Sequence, residues 1–307
     1  MRVAVIGAGG VGGYFGARLA QAGHDVTFVA RGAHLAAMRE HGLRVESAVG
    51  DVALPRVDAT DDPASLARVD FVMFCVKLWD VERGAAQLAP LVERGGVVIP
   101  FQNGIDSVDI LTRTVGKRVL GGVAYIAASI RAPGIIAHVG TMARLRVGAS
   151  DDAGLAARAQ AFVDACTAAG VSAEHAPDIR GALWEKFVFL NALSGLTCLA
   201  RQPLGVIRAD PELRATFEAS MRETVAVARS QRVVLPDDFI ARQLRALDTL
   251  PAEMRSSMLN DLVAGHRLEA PWLCGRVAEM AASAGLAAPV NATVYAALKP
   301  YLGGATH

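Results

Sequence analysis

The chain has 307 residues, 52% hydrophobic and 20% charged, enough apolar material for a sizeable core in two domains, which excludes a largely disordered protein. Lys and Arg number 31 against 30 Asp and Glu, a formal net charge of +1, so the chain carries no electrostatic footprint for nucleic acid or an anionic membrane. Its four cysteines, Cys75, Cys166, Cys198 and Cys274, are far apart and form no CxxC pair; this points away from a zinc site and a disulfide framework and toward a reducing cytoplasm.

The opening "RVAVIG" (Arg2 to Gly7) is a β-branched run ending in glycine, and "VGGYFGARLAQAG" after it has helical spacing with a stop at Gly23. Arg2, the apolar stretch and Ala20-Gln21-Ala22 imitate a signal peptide, but the glycines mark a strand, a turn and a helix. "DVTFVA" (Asp25 to Ala30) reads as a second strand and "AHLAAMREHG" (Ala33 to Gly42) as a second helix. "DFVMFCV" (Asp70 to Val76) reads as a strand covered on both faces, and "GVVIPFQNG" (Gly96 to Gly104) as a strand running into a loop. "RVLGGVAYIAASI" and "IIAHVGTMARLRVG", on either side of Pro133-Gly134, read as further strands that complete the sheet near Gly148. After a helix from about Ala153 to Ala169 the strand signals nearly disappear.

Helical patterns then cover Ile179 to Ala200, Pro211 to Gln231, Asp237 to Leu247, Arg255 to Gly265 and Pro271 to Ala284. The longest apolar candidate for a membrane span contains Glu185, Lys186 and Asn191 and is broken by Gly195, so no transmembrane helix is read. The expected fold is α/β: a Rossmann-type doubly wound sheet over residues 1–175, then an all-α domain over 176–307, with the boundary in "HAPDIRG".

In such sheets ligands bind beyond the carboxyl ends of the strands. There "GAGGVG" places Gly7, Gly9 and Gly12 in G-x-G-x-x-G spacing, with Ala8, Gly10 and Val11 between them and Gly16 a turn later. The pattern alone is weak, but it follows a strand and opens a helix. That is the context in which glycines allow close backbone approach and a helix N-terminus receives a pyrophosphate. The second strand ends in Ala30-Arg31, without the acid that bonds the ribose 2′-hydroxyl of NAD, so Arg31 favours a 2′-phosphate and hence NADP(H), the other reading being a solvated loop arginine. Lys77, past "DFVMFCV", is either a second cation for that phosphate or a surface lysine. Asn103 in "FQNG" is either a turn residue or a contact to the nicotinamide ribose or substrate.

Lys186 lies in "LWEKFVFLNALSG", a run otherwise so apolar that its ammonium must snorkel to water, pair with a carboxylate or be held for chemistry. A lysine can donate a proton to the oxygen that turns negative as hydride reaches a keto carbon, and it attracts a neighbouring carboxylate. Ser257 and Asp261, four apart, share one helix face; they read equally as site residues or as a helix-start serine and a solvated acid.

Taken in order, "GAGGVGGYFGARLAQAGHDVTFVAR", "VKLWD", "FQNG", "PGIIAHVG", "WEKFVFLNALSGLT" and "SSMLNDLVAGHRLE" resemble the ketopantoate reductases (2-dehydropantoate 2-reductases) over essentially the whole chain. The resemblance implies NADPH-dependent reduction of a 2-keto acid, with Arg31 and Lys77 near the adenosine phosphate, Asn103 near nicotinamide and substrate, and Ala128 matching a small residue beside the cofactor. It implies Lys186 as proton donor, Ser257 as a substrate-binding serine and Glu269 as a carboxylate close to cofactor and lysine. Where the family commonly carries asparagines one and two turns after the lysine, this chain has Leu190 and Ser194, and a third such position is Leu204. Asn191 is rotated by about 140° from Lys186 around a helix and is no simple replacement.

The function expected is therefore reduction of 2-dehydropantoate to pantoate in pantothenate biosynthesis by a cytoplasmic enzyme. The substrate-side residues would be Asn103, Lys186, Ser194 and Ser257. The alternatives are a reductase of a more apolar 2-keto acid and, from another class, a non-catalytic NADPH-binding sensor. No nucleic-acid or membrane partner and no metal are expected, and the assembly is left open between monomer and homodimer.

Overall fold

The computed structural model describes residues 1–148 and 152–305. It contains two compact units, Met1–Ala182 and Leu183–His307, divided within one long helix.

The first unit runs β1 (Arg2–Ile6), α1 (Gly10–Gln21), β2 (Asp25–Val29), α2 (Gly32–His41), β3 (Leu43–Ser47), β4 (Val52–Leu54), β5 (Asp58–Thr60), β6 (Phe71–Phe74), α3 (Val81–Ala86), α4 (Ala89–Glu93), β7 (Val97–Pro100), α5 (Ser107–Val115), β8 (Gly121–Ala132), β9 (Ile135–Gly148), α6 (Ala153–Ala168) and β10 (Ser172–His175). Five of these strands form a parallel sheet in the order β5-β2-β1-β6-β7. Alternation along its central strands feeds two separate cores. Val3, Val5, Phe71 and Met73 pack into one, with Phe28 and Phe162, while Ala4, Ile6, Val72 and Phe74 pack into the other, with Leu88 and Leu111. This is why β1 and β6 read as unbroken apolar runs: a parallel sheet covered on both faces has no polar side.

The hairpin β8 and β9 departs from the sequence expectation. These strands do not complete the parallel sheet; they belong to a second one, with β9 at its centre. β8 pairs antiparallel with β9, whose first part also pairs with β3 through Arg44 and Ile135, and whose last part pairs with β10 through Arg144 and Ser172. β3 in turn carries the short β4. The ladder that joins β3 to β9 links residues far apart in sequence, Arg44 with Ile135, so local patterns reported the β8–β9 hairpin but not the sheet it belongs to. The strands β3, β4, β5 and β10 escaped the sequence reading because, at three to five residues, they are too short to show an alternation.

The long helix α7 (Ile179–Ala200) carries the chain into the second unit, which continues with α8 (Leu204–Ala209), α9 (Pro211–Ser230), α10 (Phe239–Thr249), α11 (Ser257–Val263), α12 (Cys274–Ser283) and α13 (Pro289–Leu298). No strand occurs in it among the described residues. Asp210 caps α9 by accepting from the N–H groups of Glu212 and Leu213, both at 2.9 Å, with Pro211 at the first helical position. Asn191, whose role the sequence left open, belongs to the core of this unit. Its Nδ2 donates to Asn291 Oδ1 at 2.7 Å and to Thr224 Oγ1 at 3.1 Å, tying α7 to α13 and α9.

Candidate functional site

Sheet order brings the predicted cofactor residues of the first unit to one edge. The loop Gly7–Gly9 follows β1, Arg31 follows β2, Lys77 follows β6 and Asn103 follows β7, and these four strands are consecutive neighbours in the parallel sheet. The glycine loop thus lies between Arg31 on one side and Lys77 on the other. At about 4.8 Å per strand, the strand ends that carry the two cations are roughly 10 Å apart. Arg31 is exposed at the N-cap of α2, and Lys77 is exposed with its Nζ 5.5 Å from the Trp79 ring centroid. Asn103 is half-buried; its neighbour Gln102, which sequence reasoning passed over, is buried and donates to the Phe74 carbonyl at 2.8 Å, pinning the loop to the end of β6.

The glycines of the loop do different things. Gly7 has a φ of +94°, which favours glycine, and a Cβ there would lie 2.9 Å from the Cys75 backbone. On Gly10 a Cβ would lie 2.1 Å from the Ala128 carbonyl oxygen, so Ala128 on β8 is packed against the start of α1. On Gly12 it would meet the Gly7 carbonyl oxygen at 2.3 Å, and on Gly16 the Phe28 ring at 2.7 Å. These positions are small because the protein itself fills the space. Gly9 is the exception. Its φ of −75° is open to any residue, and a Cβ on it would have no neighbour within 4 Å. A bare backbone facing open space at the N-terminus of α1 fits a group that approaches from outside, and a dinucleotide pyrophosphate has that requirement. Ala8 is buried and Val11 half-buried on the inner side of the same loop.

In the second unit Lys186 is half-buried on α7 and Glu269 is buried just before a single helical turn at Ala270–Trp272. Burial lowers the Lys186 pKa to about 8, against the opposing pull of the Glu269 carboxylate, which favours the ammonium. Leu190 is half-buried one turn further along α7, on the face that Lys186 occupies, and Ser194 is fully buried. Ser257 is exposed at the first position of α11. The serine before it does the structural work: Ser256 accepts from the Leu259 N–H at 3.0 Å and is hydrogen-bonded to Thr197 Oγ1 of α7 at 2.8 Å. Asp261 is half-buried, with Oδ1 3.5 Å from His266 Nδ1.

All four cysteines are free, and burial pushes the thiols of Cys166, Cys198 and Cys274 up to about 12, which makes them poor nucleophiles. Among the described residues no group of His, Cys, Asp and Glu is placed to hold a metal ion, and no helix is long and apolar enough to cross a membrane.

Residues 3–152 match the family Ketopantoate reductase PanE/ApbA, and residues 178–302 match Ketopantoate reductase PanE/ApbA C terminal. An uncharacterized oxidoreductase of Bacillus subtilis (strain 168) is 32% identical over 305 residues, covering 98% of this chain and 99% of that protein. A 2-dehydropantoate 2-reductase of Archaeoglobus fulgidus is 32% identical over 294 residues, covering 95% of each. The crystal structure of 2-dehydropantoate 2-reductase from Geobacter metallireducens GS-15 superimposes with a TM-score of 0.90 at 30% identity, covering 98% of this chain and 99% of that one. With both parts of the chain matched and these identities spanning nearly its whole length, the protein belongs to the ketopantoate reductase family, oxidoreductases that act on a CH–OH group with a nicotinamide cofactor.

Proposed function

We propose that the protein reduces a 2-keto acid to the 2-hydroxy acid with NADPH, that 2-dehydropantoate is the substrate and that the reaction serves pantothenate biosynthesis in the cytoplasm. The observation that carries the reading is Lys186: an ammonium on α7 whose pKa burial has brought down to about 8 with a carboxylate, Glu269, acting on it. At neutral pH such a lysine still holds its proton, yet releases it more readily than an exposed one, which suits a general acid.

The nicotinamide cofactor supplies the hydride. Gly7 to Gly12 form the loop that receives its pyrophosphate, Arg31 and Lys77 supply positive charge for the 2′-phosphate, Asn103 stands on the same edge and Ala128 lies against the start of α1 beside the loop; residues 1–175 are the cofactor domain in this reading. In residues 176–307 Lys186 donates its proton to the substrate oxygen as negative charge develops on it, and Glu269 keeps the ammonium protonated between turnovers. Ser257, exposed at the start of α11, is the polar substrate-side group; Ser194, at 1% exposure, offers a substrate no surface. The missing acid after β2 supports NADPH over NADH.

Leu190 favours a second reading, a more apolar 2-keto acid. It presents hydrocarbon one turn from the proton donor, where an amide would bond a polar substrate end. The deciding experiment is a panel of 2-keto acids, 2-dehydropantoate and branched or aromatic analogues, assayed with NADPH and NADH by loss of nicotinamide absorbance. Highest kcat/KM for 2-dehydropantoate with NADPH supports the first reading; highest kcat/KM for an apolar acid replaces it with the second, and turnover of none overturns both.

A further inference from the structure

His34, the third residue of α2, joins three segments of the first unit through its two ring nitrogens. Nδ1 accepts a hydrogen bond from the Gly134 N–H, in the turn between β8 and β9, at 3.0 Å. The ring proton must then sit on Nε2, which donates to the Ala8 carbonyl oxygen at 2.9 Å. The partner geometry therefore selects one neutral tautomer, and burial favours it by lowering the His34 pKa below its ordinary value.

The bond to Ala8 has a consequence at the next residue. The chain contains no cis peptide among the described residues, and in a planar trans peptide the N–H points opposite to the C=O. With the Ala8 carbonyl held toward α2, the Gly9 N–H is turned the other way. Among the described residues it has no hydrogen-bond partner. The Ala8 N–H is itself anchored on the Val29 carbonyl at 3.2 Å, so both ends of that residue are fixed. Gly134 is equally constrained: its φ is +77°, its carbonyl accepts from the Arg44 N–H at 2.9 Å, and a Cβ on it would lie 3.3 Å from Ala37.

We propose that His34 is a positioning residue for the dinucleotide: by holding the Ala8 carbonyl toward α2 it aims the Gly9 N–H at the incoming pyrophosphate. Through the same helix turn it also sets the start of α2, where Arg31 stands three residues earlier. The inference rests on the dinucleotide reading of the glycine loop.

His34→Gln and His34→Met test it. The two side chains are nearly the same length, but only the glutamine amide offers a donor and an acceptor in place of the two ring nitrogens. Loss of one orienting hydrogen bond corresponds to roughly a tenfold change in affinity, so NADPH Kd, read by fluorescence titration, should rise about tenfold in His34→Met. His34→Gln should stay within about threefold of the wild type, and kcat at saturating NADPH should change less than about twofold in both. Wild-type affinity in His34→Met, or equal weakening in both variants, overturns the proposal. If His34→Met does not fold, His34→Gln decides alone: near-native affinity supports the proposal and about a tenfold loss overturns it. A wild-type protein that binds neither NADPH nor NADH brings down the dinucleotide reading itself, and this inference with it.

Discussion

The carboxylate of Glu269 acts on the ammonium of Lys186 from a buried position and favours its charged form, while burial of the lysine disfavours it; burial is the larger effect and leaves the pKa at about 8. A structural ion pair serves best fully charged, whereas a proton donor needs a pKa near the working pH.

Removal of the proposed donor tests this directly. In Lys186→Ala, kcat should fall by about 100- to 10,000-fold, the range for loss of a positioned general acid, while NADPH affinity stays close to that of the wild type. Steady-state kinetics and a cofactor titration check both halves. Unchanged turnover would exclude Lys186 as the acid.

The pH profile tests the pair. A lysine serving as general acid acts protonated, so under the proposed role of Lys186 the wild-type kcat should decline as pH rises through about 8. Glu269→Gln removes the contribution that raises the Lys186 pKa, so this alkaline limb should move toward lower pH. A limb that stays in place would show that Glu269 does not govern the proton.

Gly9 and Gly12 should separate binding from folding. Gly12→Ala puts a methyl 2.3 Å from the Gly7 carbonyl oxygen, an overpacking that should cost about 1 to 3 kcal/mol and lower Tm. Gly9→Ala meets nothing within 4 Å, so Tm should hold while dinucleotide Kd rises by about tenfold or more. Thermal melts with and without NADPH distinguish the two. Equal cofactor affinity in Gly9→Ala and wild type would place the pyrophosphate elsewhere.

Arg31 should set the choice of cofactor. Arg31→Ala should raise KM for NADPH about tenfold and leave KM for NADH nearly unchanged, because only the former carries the 2′-phosphate. A parallel rise for both cofactors would assign Arg31 to a group they share.

Leu190→Asn should shift the ratio of kcat/KM for 2-dehydropantoate over a branched apolar 2-keto acid by about tenfold toward the polar substrate. An unmoved ratio would show that residue 190 does not set specificity.

Much of this was legible in the chain alone. The glycine spacing after an apolar β-branched run marked the β1–α1 turn, the apolar runs at Val3 to Ile6 and Phe71 to Phe74 marked strands covered on both faces, and Arg31 in place of an acid marked the expected cofactor, because each signal is carried by neighbouring residues. Tertiary structure decided what depends on distant partners. It moved β8 and β9 into a second sheet, made Gly10 and Gly12 packing positions and left Gly9 facing open space. It turned Asn191 inward to Asn291 and Thr224, and it chose Ser256 rather than Ser257 as the cap tied to Thr197. His34 gave no sequence signal at all, since its partners are backbone groups of Ala8 and Gly134, which any residue type presents. Local periodicity encodes which face of an element is apolar; only the folded chain fixes which polar atoms meet across it.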